Sequence, residues 1–121
     1  MSSASAYLQA LHDAQSRGDV DFARRLASEA ANDTFDDSSA PARVDSSRED
    51  VAILMTAIAF TFAIRGRAVP EWAKIARRRH PVYLAPDEIL DDEWRRQIRA
   101  ETPEFFASKN IWLTTRDLQI A

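Results

Sequence analysis

Arg48-Glu49-Asp50-Val51-Ala52-Ile53-Leu54-Met55-Thr56-Ala57-Ile58-Ala59-Phe60-Thr61-Phe62-Ala63-Ile64-Arg65 is the stretch that decides the fold. From Val51 to Ile64 only Thr56 and Thr61 are polar, and no charge interrupts. A surface helix keeps one polar face; this segment has almost none to offer. A bilayer span needs about 20 apolar residues, more than it contains. It therefore reads as a central helix wrapped by the rest of the chain or by a partner. Ile53, Leu54, Ile58 and Phe62 are its expected buried positions. Ser46 with Glu49, or Ser47 with Asp50, offers a capping box at its start. Gly66 suits its end.

Working outward, 121 residues suffice for one domain with a real core. The apolar fraction of 45% is ordinary for a globular chain. Gly is scarce, and Ala, Leu, Arg, Asp and Glu are common, a balance that favours helices over strands. The expected fold is all-α: a helical hairpin at 1–31, an acidic linker at 32–47, and a helical core with a docked tail at 48–121. The chain has no cysteine, which removes disulfides, thiolate metal sites and a Cys nucleophile. That absence, and an opening segment that is small and polar, suit a cytoplasmic protein with no membrane association.

The N-terminal elements follow from spacing. Tyr7, Leu8, Leu11 and Ala14 share one face of a helix over 4–16. Gly18 stops it, and Asp19 caps a second helix over 20–31 with Phe22, Ala23, Leu26, Ala27 and Ala30 inward. The short connection makes an antiparallel hairpin. Residues 32–47 are acidic, Ser-rich and Pro-containing, the composition of a mobile linker. Phe35 and Val44 are its only anchors.

Beyond the central helix, Val69-Pro70-Glu71-Trp72 opens an expected fourth helix. It ends at His80-Pro81, with Arg77, Arg78 and Arg79 at its negative end. Pro81 to Pro86 runs extended. Asp87 to Glu101 reads as a fifth helix with Ile89, Leu90, Trp94 and Ile98 inward. Pro103 to Ser108 forms a short helical turn, and Ile111-Trp112-Leu113 is extended. Asn110 suits a left-handed corner, and Thr115 is placed to cap a last turn. Phe105, Phe106, Ile111, Trp112 and Leu113 are too apolar for a free terminus and should dock on the central helix.

Charge is uneven. Residues 1–60 hold five Arg against ten Asp and Glu; residues 61–121 hold eleven Lys and Arg against nine. An acidic first half suits a basic partner. Arg77, Arg78 and Arg79 with His80 offer phosphate contacts, although cations at a helix end already complement its dipole. Asp33, Asp36 and Asp37 lack the spacing of a calcium loop and read as a solvated arm. His12 reads as a surface residue, and two His cannot build a His-rich metal site. The acidic run at 87–93 is explained by a helix start. Trp72, Trp94 and Trp112 read as core anchors. No nucleophile–base pattern, Gly-rich phosphate loop or metal spacing is present, so neither a metal nor a cofactor is expected.

The tail from Pro103 to Ala121 fits the pattern P-x-x-F-x-x-[KR]-N-I-[aromatic]-[aliphatic]-x4-L-x-x-A. With the apolar helix and Val69-Pro70-Glu71-Trp72 upstream, residues 48–121 resemble a group of small bacterial proteins without assigned function. Some members are encoded beside nucleotidyltransferase-type toxins as antitoxin-like companions. The resemblance implies a non-enzymatic interaction protein whose partner is such a toxin, and it transfers no catalytic residue. Asp33, Asp36 and Asp37 are then the candidate partner contacts. The alternative is a small nucleic-acid-binding regulator using Arg77 to Arg79; an enzyme comes third.

Overall fold

The computed structural model describes residues 3–36, 40–41, 45, 47–84 and 90–118. Helix α1 spans Ala4–Arg17 and α2 spans Val20–Ala31. Ser3 caps the first, accepting from the Ala6 N–H, and Asp19 caps the second, accepting from the Phe22 N–H. Gly18 sits at φ 69° between them. The Asp19 N–H donates back to the Ala14 carbonyl, which closes the end of α1. The two helices pack as the expected hairpin, and both lie against α3, Glu49–Ile64.

Val51 to Ala59, Thr61 and Phe62 of α3 are all buried. Ile58 and Phe62 are wholly inaccessible, Leu54 is 1% exposed and Ile53 8%. The two threonines are accommodated by bonding backwards: Thr56 Oγ1 donates to the Ala52 carbonyl at 2.7 Å and Thr61 Oγ1 to the Ile58 carbonyl at 2.6 Å. Among the described residues no buried side-chain polar atom is left unpaired. Gly66, at φ 69°, ends the helix: its N–H donates to the Ala63 carbonyl and the Arg67 N–H to the Phe62 carbonyl. Ile64, at the same end, is 56% exposed.

The start of α3 differs from expectation. Arg48 occupies the cap position and makes no side-chain cap. Ser47 turns to Asp45 instead, and Asp50 accepts from Gln15 on α1. The capping partners are spent on tying the helix to its neighbours. Ser46 and Val44 lie outside the described residues.

The expected fourth helix is absent. Only Glu71–Ala73 makes a 3₁₀ turn. The chain then runs extended, with Ala73 and Ile75 buried and Lys74 and Ala76 exposed, a period of two. Its backbone groups are claimed by the turn at 107–110. The Arg78 N–H donates to the Lys109 carbonyl at 2.9 Å, Lys109 Nζ to the Ile75 carbonyl at 2.6 Å, and Asn110 Nδ2 to the Arg78 carbonyl at 3.2 Å. Those long-range bonds replace the ladder a helix would have used.

Two short strands follow, β1 at Val82–Tyr83 and β2 at Ile111–Trp112. They pair in parallel, Val82 opposite Ile111 and Tyr83 opposite Trp112. The molecule is thus mostly helical with one small parallel pair, a modest amendment to an all-α reading. Between the strands lie α4, Asp92–Glu101, and α5, Glu104–Ala107. Asp91 caps α4, accepting from the Trp94 N–H; positions 87–89 lie outside the described residues. Asn110 takes the left-handed corner at φ 61°. The last turn is Arg116–Leu118, capped by Thr114 and not Thr115: Thr114 and Asp117 exchange N–H to side-chain bonds reciprocally.

The core is therefore α3 clasped on one side by the hairpin and on the other by the 72–75 segment, α5 and β2. Phe60 rings meet Phe106 at 5.2 Å and Phe105 at 5.9 Å, and Phe62 meets Trp72 edge-on at 6.2 Å. The tail docks as anticipated through Phe106. Trp112 packs elsewhere, beneath Arg99 at 4.8 Å.

Candidate functional site

Of the acidic residues named from sequence, Asp33 and Asp36 are part of the body and not a solvated arm. Tyr7 Oη donates to Asp33 Oδ2 at 2.8 Å, and the Thr34 N–H donates to Asp33 Oδ1 at 2.7 Å. Phe35 is 1% exposed, its ring tilted on Tyr7 at 5.6 Å, and Arg67 Nη1 holds its carbonyl at 2.7 Å. Asp33 and Asp36 are both half-buried. The docking of Phe35, an expected anchor, pulls residues 32–36 onto the hairpin. Asp37 lies outside the described residues.

The basic residues are divided between two anchorages. Arg77 Nη1 donates to the Ala107 and Ser108 carbonyls, both at 3.2 Å, where α5 ends. Arg78 Nη2 donates to the Ser47 carbonyl at 3.0 Å, before α3 begins. Arg79 and His80 are exposed. On an extended segment successive side chains point to opposite sides, so the three arginines do not form one patch. Their dipole role at a helix end falls with the helix itself.

Among the described residues, three concavities bear on function. A cleft of about 570 Å³ lies between α1, α2, the start of α3 and Tyr83-Leu84, the last described residues before 90. Its charges nearly balance: Arg24 and Arg48 face Asp19, Glu49 and Asp50, with Arg48 Nε 3.6 Å from Asp50 Oδ1. A second, of about 550 Å³, lies across Gln15 and Arg48 and reaches His12 and Asp45. The Ser47 hydroxyl and N–H hold the Asp45 carboxyl below its ordinary value. A carboxyl shifted downward is a poorer proton acceptor, the opposite of what a general base requires. Among the described residues no group of three His, Asp or Glu is placed to hold a metal ion.

The third concavity is smaller and apolar. It measures about 210 Å³ and lies between α3, the Glu71–Ala73 turn and α5. Ala59 and Ala73 open it, and Val69, Ile75 and Phe105 wall it. Two short side chains, Ala59 and Ala73, leave the space unfilled. Thr56 is the one hydroxyl on its floor and is already bonded to Ala52. Lys74 and Lys109 stand at its mouth. Nothing in the sequence singled these residues out, because the recess joins segments far apart in the chain.

Helix α4 carries the other unexpected surface. Ile98 is its single buried residue, and Trp94, one turn earlier, is 51% exposed. Trp94 is thus no core anchor: the helix begins at Asp91, and Leu90 and Ile98 take the inward positions. The far end of α4 is secured. Arg99 Nε donates to Tyr83 Oη at 2.9 Å, and Thr102 Oγ1 accepts the Leu113 N–H at 3.3 Å. The tryptophan is held out on a fixed helix.

No family model matches this chain, and no curated protein or solved structure does. Among the described residues no helix is long and apolar enough to cross a membrane.

Proposed function

We propose that this chain is a non-enzymatic protein-interaction module, antitoxin-like, which neutralises or regulates a partner protein in the cytoplasm. A nucleotidyltransferase-type toxin is the partner that the C-terminal resemblance suggests. The observation that carries the reading is Trp94, half-exposed on a helix whose position is fixed by Ile98, Arg99 and Thr102. A large aromatic on a rigid support is the residue type that dominates binding energy at protein interfaces. Ile64, more than half exposed at the end of α3, adds a second apolar contact. Asp33, accepting from Tyr7 and the Thr34 N–H, is fixed against the hairpin and, with Asp36 and Asp37, stays a candidate partner contact. The nucleic-acid alternative has less to draw on, since Arg77 and Arg78 are engaged with carbonyls in separate places.

The test is purification of the tagged full chain from its own cells. The expected result is a stoichiometric protein partner that Trp94→Ser loses. That substitution should leave stability within about 0.5 kcal/mol, as surface changes usually do, while weakening binding by about 2 kcal/mol or more. Recovery of nucleic acid alone, with a mobility shift abolished at Arg77, Arg78 and Arg79, would instead establish the regulator.

A further inference from the structure

We propose that the recess between α3, the Glu71–Ala73 turn and α5 seats one large apolar side chain of a partner protein. The segment delivering it carries Asp or Glu beside that side chain. The inference rests on the protein-interaction reading and supplies the chemistry of the partner.

Volume decides the kind of occupant. Small-molecule and cofactor sites occupy about 300–1,000 Å³, and the recess holds about 210 Å³. A cavity of about 150 Å³ takes a benzene. The recess is therefore the size of one Phe, Leu or Met side chain. Its floor rejects polar groups: Thr56 has its only hydroxyl proton on the Ala52 carbonyl, and apart from Lys74 and Lys109 at the mouth the remaining lining is aliphatic or aromatic. A nucleobase would bury polar edges against a floor with no free donor, while the donors of Lys74 and Lys109 stand only at the mouth.

Charge decides what lies beside the anchor. Lys109 is half-buried and pinned, its Nζ 2.6 Å from the Ile75 carbonyl. An ammonium has three donors, so two remain for a ligand at a fixed position. Lys74 Nζ is 2.8 Å from Glu71 Oε1, but the Glu71 side chain is 90% exposed. A surface pair of that kind is worth little and exchanges readily for another carboxylate. Arg77, on the Ala107 and Ser108 carbonyls, adds a third cation beside Lys109. The lining itself holds Lys74 and Lys109 and no carboxylate, Glu71 and Glu104 lying outside it, so the mouth is positive and complements an acidic flank.

The experiment is an amide-NMR titration of the full chain with acetyl-Glu-Leu-Phe-Glu-amide, run beside decanoate. The peptide should shift the signals of Ala59, Ala73, Ile75 and Phe105. Lys74→Glu should weaken it about three- to tenfold at low salt and less at high salt. Ala59→Leu, which fills the recess, should abolish it. If the filled variant is destabilised, Lys74→Glu still decides the matter from the surface. The proposal falls if the peptide shifts no recess signal, if neither variant alters its affinity, or if decanoate binds the recess more tightly than the peptide. A natural partner that binds both variants as it binds the wild type would overturn the recess assignment and leave the interaction reading standing. Absence of any natural partner would overturn that reading, with the peptide result still legible.

Discussion

Single residues carry two kinds of constraint here, burial and pairing. Ile58 illustrates the first. It is wholly buried at the centre of α3, so Ile58→Ala should cost about 2–5 kcal/mol in denaturant unfolding. The flanking charges of the segment and its lack of a polar face made that position legible from sequence alone. Asp45 illustrates the second. Its carboxyl is held below the ordinary value of 3.8, first by the Ser47 hydroxyl and then by the Ser47 N–H. A carboxyl lowered on folding adds stability above its unfolded value and loses it as pH falls through the folded value. Ser47→Ala should therefore raise the Asp45 pKa towards 3.8, seen by carboxyl NMR titration, and lessen the loss of stability on acidification below that pH. The sequence did not disclose this pairing, because Ser47 was equally suited to capping α3.

Elements were legible where local signals had no rival. Gly18 with Asp19, and Gly66 after Ile64, set helix ends that the structure keeps. Prediction failed at 74–80, where the helix expected from Val69-Pro70-Glu71-Trp72 to His80-Pro81 competed with long-range bonds to the 107–110 turn. Asn110 organises that turn. It sits at φ 61°, donates to the Arg78 carbonyl and accepts from Trp112 Nε1 at 2.8 Å. Asn110→Gly keeps the backbone but removes both bonds, at about 1–3 kcal/mol. Asn110→Ala should lose about 1 kcal/mol more, because a Cβ without a local hydrogen bond is strained in the left-handed region. Thermal melts of the two variants check the order; equal losses would mean that the corner conformation contributes nothing.

At the scale of the molecule, the end of α2 and the last described turn close on one another. Ser28 Oγ donates to the Asp117 carbonyl and Asn32 Nδ2 to the Leu118 carbonyl. Phe106, Ile111 and Leu113 complete the cover of α3. Removal of 103–121 should thus give an aggregating or molten protein with no cooperative melt, measured by calorimetry. A truncated chain that melts near the full-length temperature would refute this. The central helix was readable from hydropathy. The recess beside Lys109 and the exposure of Trp94 were not, since both depend on which distant segments meet. The docked tail also sets an order of events during synthesis. At roughly 5–20 residues per second, α3 is made about 3–10 s before Leu118. For that interval a nascent chain carries an apolar helix covered by the hairpin on one side and bare on the other. A message broken before codon 104 therefore yields a product that keeps part of that face bare from the moment of its release.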